Sequence, residues 1–282
     1  MAKFFMSKLI TKVESRWTEV GGLLMHARVS VNPVGAELPS VVLVHGLGVS
    51  SRYMVPLAEH LGRTISVYAP DLPGFGKSAG AARALNIDEL ADALAAWMQA
   101  MNLDQSVLLG NSFGSQIVVA LALRHPQCIA RAVLVAPTMD PRAPTVIRQI
   151  MRLLRDAPRE PLSLLPLAIR DYLTTGLRRG FQTLRYAIED RIEDRLPHVH
   201  VPTLVVGGAR DPVVPRGWVE EVARLLPHGR AVLIPRAAHA VNYNSPQELA
   251  HVVRMFMDER LTPVASVEKQ ETSEDLRRIE VR

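Results

Sequence analysis

Residues 107–116 read VLLGNSFGSQ. An apolar run ends at Gly110 and Asn111, and Ser112 follows with Gly110 and Gly114 two places away on each side. Beyond it, FGSQIVVALALRH (113–125) has helical apolar spacing and stops at Pro126. The stretch therefore puts a hydroxyl at a sharp turn between a buried strand and a helix. Working outward, VVLVH (41–45), ISVYAP (65–70), SVLLG (106–110) and RAVLVAP (131–137) are short β-branched runs that read as strands buried on both faces. MVPLAEHLG (54–62) and NIDELADALAAWMQAM (86–101) read as helices between them, the second with Asn86 as its N-cap. Such alternation predicts an α/β fold with a mostly parallel sheet and right-handed crossovers. Upstream, WTEVGGLLMHARV (17–29) sets Gly21-Gly22 between two β-like runs, a hairpin signal, so the sheet is expected to begin antiparallel.

The alternation stops at 141. Residues 141–199 contain no strand candidate and read as a helical insertion. Within it, TVIRQIMRLLRDAP puts Arg148, Arg152 and Arg155 on one helical face and Ile147, Ile150, Met151 and Leu154 largely opposite. The pattern resumes with strands VPTLVVGG (201–208) and AVLIP (231–235) and helices GWVEEVARLL (217–226) and SPQELAHVVRMFMDERL (245–261). The expected organisation is a core of 1–140 and 200–262, a helical cap of 141–199, and a charged, weakly ordered tail of 263–282.

The chain has 282 residues, 48% hydrophobic and 22% charged, enough for a large core. Its one cysteine, Cys128, allows no internal disulfide and fits a reducing compartment, so a cytoplasmic location is expected. Lysines interrupt the apolar N-terminal residues, unlike the core of a signal peptide, and no run is long enough for a membrane span. The net charge is +5, and residues 141–200 carry 11 Arg, no Lys and 7 Asp plus Glu. Acids are interleaved and no aromatic-plus-basic stripe accompanies them, so these arginines read as solvated helix faces and no nucleic-acid partner is expected.

The sharp turn at Ser112 forces a strained backbone, and small neighbours two residues away avoid the resulting clash. This is the G-x-S-x-G nucleophile elbow. A serine hydroxyl needs a base, and the base needs an acid to orient it. In open α/β sheets such groups gather past the carboxyl ends of strands. Asp211 lies just past LVVGG and His239 just past AVLIP. Two backbone N–H groups are needed for an oxyanion. Phe113, after the serine, and Leu47, in the glycine-flanked loop His45-Gly46-Leu47-Gly48, are the candidates. His45 is assigned to ordering that loop. Two other patterns fail. The GKS at 76–78 has Asp71 where a phosphate loop requires glycine, and the glycine-rich run 74–79 does not open a helix. No metal-ligand spacing is present, and neither metal nor cofactor is expected.

HGLG (45–48), DLPGFGKS (71–78), GNSFG (110–114), GARDPVVP (208–215) and AAH (237–239) together resemble the α/β-hydrolase family, in its order and spacing, over residues 17–260. The resemblance implies an eight-stranded sheet with a helical cap after the sixth strand, and Ser112 as nucleophile, Asp211 as acid and His239 as base. It also leaves Asp140, after the sixth strand, as an alternative acid. Serine chemistry implies acyl transfer to water, and a small-molecule substrate with an ester-like carbonyl. Family members that open epoxides or remove halide carry aspartate at the place of Ser112, and are disfavoured.

The first reading is a carboxylic ester hydrolase or lactonase. GNSFG, with Asn111 before the serine, also resembles carbon–carbon bond hydrolases that cleave dienoic keto-acids. Those enzymes usually carry Trp after the catalytic histidine, where this chain has Ala240. A third reading is a non-catalytic receptor or partner-binding protein. Leu164, Leu165, Leu167 and Tyr172 are candidates to line an apolar pocket. Arg170 and Arg185 are candidates to bind an anionic group. Monomer and homodimer both stay open.

Overall fold

A computed structural model describes residues 13–30 and 38–258. The expected charged tail and the N-terminal dozen residues lie outside the described residues. The chain order is β1 (Glu14–Val20), β2 (Leu23–Ser30), β3 (Val41–Val44), α1 (Val55–Leu61), β4 (Val67–Pro70), α2 (Ile87–Ala100), β5 (Ser106–Asn111), α3 (Phe113–Arg124) and β6 (Ile129–Val135). There follow α4 (Val146–Asp156), α5 (Leu164–Thr175), α6 (Leu177–Glu189) and the short α7 (Ile192–Arg195). The chain returns to the sheet with β7 (Thr203–Gly208), α8 (Arg216–Leu225), β8 (Gly229–Ile234), α9 (Val241–Asn244) and α10 (Pro246–Asp258).

The eight strands form one sheet in the order β1-β2-β4-β3-β5-β6-β7-β8. β2 runs antiparallel to both neighbours, and every pair from β4 to β8 is parallel. The β1–β2 hairpin turns on Gly21 and Gly22, both at positive φ (55° and 76°), the conformation that admits glycine without a Cβ clash. β3, β5 and β7 are buried along their whole length, which is why they read as continuous apolar runs with no alternation. Helices cover both faces. One face packs α2, α3 and α8 around Trp97, Trp218 and Phe113, and the other packs α1 and α10 around Leu57, Leu61 and Phe256. Asn86 caps α2 in a reciprocal box, accepting from the Glu89 N–H while the Glu89 carboxylate accepts from the Asn86 N–H (2.9 Å each).

Helices α4–α7 lie between β6 and β7 and are tied to the sheet domain at discrete polar points. Gln116 Nε2 on α3 donates to the Ala187 carbonyl and to Asp190 (2.9 Å each). Arg152 donates to Asp140 (2.8 Å) and to the Val213 carbonyl (3.0 Å). Ser50 Oγ donates to Asp171 (2.6 Å). The inward residues of α4 are Gln149 and Asp156, whereas its apolar stripe faces out, with Ile147 74% and Leu154 63% exposed. Periodicity marks two faces on this helix, and the tertiary structure turns the apolar one away from the core.

Candidate active site

β5 delivers Ser112 to the end of the sheet. The serine sits at φ 54°, ψ −120°, outside the comfortable range of an L-residue, immediately before α3. Its N–H donates to the Val135 carbonyl at 2.8 Å, and Ser115 Oγ donates to the Gly110 carbonyl at 2.8 Å. These bonds over-determine the strained turn. The flanking glycines are forced by space: a Cβ on Gly110 would sit 2.3 Å from the Gly114 carbonyl oxygen, and one on Gly114 would sit 2.4 Å from that of Val44.

Past β7, Asp211 is buried. One carboxylate oxygen accepts from the N–H groups of Val213 (2.7 Å) and Val214 (3.0 Å), and the other lies 2.9 Å from His239 Nδ1. His239, past β8, has its Nε2 3.1 Å from Ser112 Oγ. Three strand ends thus bring a hydroxyl, an imidazole and a carboxylate into one hydrogen-bonded line. Asp140, the alternative acid, is elsewhere. Its carboxylate accepts from the Arg142 N–H at 3.0 Å and from Arg152 at 2.8 Å. His45 bonds Gly46 O through Nδ1 (2.8 Å), and its Nε2 accepts from the Leu72 N–H (3.1 Å), joining two loops.

Beside Ser112 and His239 opens a cavity of about 460 Å³, lined by both sheet loops and the α4–α5 segment. Gly46, Leu47, Asn111 and Phe113 border it on the sheet side. Phe113 is the first residue of α3, so its N–H has no partner within the helix. Leu164, Leu165 and Tyr172 line the other side, while Leu167 packs against the core beneath. The two arginines expected to face an anionic group do not line this cavity. Arg170 borders a separate small cleft with Arg28, Arg52 and Asp71, and Arg185 is ion-paired on the surface with Glu189 at 2.6 Å. A helix presents side chains at all azimuths, and these two fall on faces turned away from Ser112.

Two acids that sequence reasoning missed take that place. Asp156, at the end of α4, accepts from the His239 N–H at 3.3 Å. Glu160 accepts from the Ala240 N–H at 2.7 Å and from Asn244 at 2.9 Å. No local spacing marks them, since they approach His239 from about eighty positions away in the chain. Burial, opposed by the nearby His239 and aided by Glu160, raises the Asp156 carboxyl to about 7. For His239, burial disfavours the imidazolium, but the charge and hydrogen bond of Asp211, then Asp156 and Glu160, raise it to about 9.

Residues 41–252 match the model of the alpha/beta hydrolase family. The pimeloyl-[acyl-carrier protein] methyl ester esterase of Aeromonas hydrophila is 26% identical over 81% of this chain and 99% of its own length. The biotin biosynthesis bifunctional protein BioHC of Cellvibrio japonicus is 30% identical over 80% of this chain, which spans about half (49%) of that relative. The crystal structure of the enol-lactonase from Burkholderia xenovorans LB400 superposes with a TM-score of 0.73 at 24% identity, covering 86% of this chain and all (100%) of that one. The sheet order and the family match over most of the chain lead to one assignment: this chain is a hydrolase belonging to the alpha/beta hydrolase family.

Proposed function

We propose that the chain hydrolyses a small, uncharged or cationic carboxylic ester or lactone through an acyl-enzyme on Ser112, beneath a cap formed by residues 141–199. The observation that carries this reading is the line Ser112 Oγ, His239 Nε2, His239 Nδ1, Asp211, with contacts of 3.1 and 2.9 Å, at the edge of an apolar cavity. His239 takes the hydroxyl proton as Ser112 attacks the carbonyl carbon. The Leu47 and Phe113 N–H groups receive the oxyanion, and His239 then protonates the leaving alkoxide. Water, activated by the same imidazole, releases the acid. Asp211 holds the ring in position and stabilises the imidazolium. Ester cleavage is also the chemistry named for the Aeromonas relative.

Among the described residues, the cavity lining contains Asp156 and Glu160 and, His239 apart, no basic side chain. A dienoic keto-acid would bring its carboxylate against two acids with no arginine to pair it, so the ester reading is preferred over carbon–carbon cleavage. A steady-state panel of p-nitrophenyl butyrate, a methyl ester, a lactone and a dienoic keto-acid tests this. Turnover of the neutral esters with none of the keto-acid is expected. Preference for the keto-acid overturns the substrate class, and saturable ligand binding without any turnover overturns catalysis in favour of a receptor.

The charges predict a pH dependence. The base must be neutral in the free enzyme, so kcat/KM should rise through neutrality and level off above about 9, where His239 loses its proton. Asp156 is ionised only above about 7, so its charge is present where His239 titrates. Asp156→Asn removes that charge and keeps an oxygen for the His239 N–H. The acidic limb of the kcat/KM profile should move down by about one pH unit. An unmoved limb would show that Asp156 does not act on the base.

A further inference from the structure

Among the described residues, large apolar side chains are exposed at 16 positions, and 12 of them fall within 147–181. Charge is sorted there as well. Residues 141–188 hold nine arginines and three acids. Asp156 and Asp171 are buried, Glu160 is half-buried, and seven of the arginines are exposed. Between 141 and 188 the acids therefore point in, while most of the arginines and the apolar groups point out; exposed acids return only beyond this stretch, at Glu189 and Asp194. Helix α4 shows this most clearly. Ile147, Ile150, Met151 and Leu154 form its outer stripe, and Arg148 and Arg155 flank that stripe on one side. Leu153, Leu162 and Leu165 are exposed yet also line the Ser112 cavity, so the apolar face runs continuously into the cavity mouth.

We infer that the α4–α5 face docks onto an anionic lipid bilayer, with the outer stripe of α4 entering the interface and its arginines lying at the lipid phosphates. An apolar stripe bordered by arginines is the arrangement that binds in the plane of a membrane surface, and none of the described helices is long and apolar enough to cross one. A second copy is the weaker occupant. Two such faces brought together would oppose arginines to arginines with no exposed acid between 141 and 188 to separate them. Docking would put the cavity mouth against the acyl region, a position suited to apolar substrates. The inference rests on the surface alone, and the unaltered chain and Ser112→Ala are expected to bind alike, whatever either does as a catalyst.

The test is cosedimentation of the full chain with phosphatidylcholine vesicles, with and without phosphatidylglycerol. Binding is expected only with the anionic lipid, weakening as salt rises. Arg148→Gln with Arg155→Gln should weaken it by about fivefold for each arginine. Ile147→Ser with Leu154→Ser should weaken it by about tenfold for each side chain that inserts. Circular dichroism and thermal unfolding of both double variants should match the unaltered chain. Three results overturn the inference. They are equal sedimentation with both vesicle types, binding that survives both double variants (contact elsewhere on the chain), or a dimer in analytical ultracentrifugation that Ile147→Ser with Leu154→Ser turns into a monomer (a second copy on this face).

Discussion

Ser112→Ala is expected to lower kcat on p-nitrophenyl butyrate by about 10⁶-fold, leaving only what the oxyanion donors and substrate binding supply. The size follows from the proposed chemistry, because the Ser112 hydroxyl is the one that lies 3.1 Å from His239 Nε2 at the cavity edge. The fold should survive the change, since the elbow is held by the Ser112 N–H on Val135 and by Ser115 on Gly110, and neither bond uses the Ser112 hydroxyl. The strain should survive as well, because alanine at φ 54° meets the same backbone clash as serine. Ser112→Gly should therefore be as inactive as the alanine variant but more stable by about 1 kcal/mol, read by urea unfolding. An alanine variant that still turned over the ester would remove Ser112 from the reaction.

The second large effect separates two acids. Asp211→Asn should reduce kcat by about 10⁴-fold, since an amide at that place no longer balances the imidazolium and favours the wrong tautomer. Asp140→Asn should leave kcat within a few-fold, because its partners are the Arg142 N–H and Arg152 and not His239. Its effect belongs on stability. Asp140 is buried and Arg152 largely so, and removing one charge of that pair should cost about 2 kcal/mol in urea unfolding. If Asp140→Asn abolished turnover and Asp211→Asn spared it, the acid would be misassigned.

The contrast between these two aspartates shows how the site divides between chain and fold. Both stand just past a strand, Asp211 a candidate from that position and Asp140 from the family resemblance. Choosing between them takes a distance, 2.9 Å from Asp211 to His239 Nδ1, that no local pattern encodes. The same holds in the helical segment. Leu164, Leu165 and Tyr172 reach the cavity, whereas Leu167, Arg170 and Arg185 do not, and Asp156 and Glu160 were invisible until the backbone brought them to His239.

By itself the amino-acid order determined the strand–helix alternation, the Gly21-Gly22 hairpin, the elbow at Ser112 and the positions of Asp211 and His239 past their strands. Each depends on neighbours within a few residues: side-chain period, turn residues, and the room left by Gly110 and Gly114. Only the tertiary structure decided which acid meets the imidazole, which residues of 141–199 line the cavity, and that α4 buries Gln149 and Asp156 while exposing Ile147 and Leu154. Periodicity shows that a helix has two faces. Which of them turns toward the core is set by what the rest of the chain packs against it.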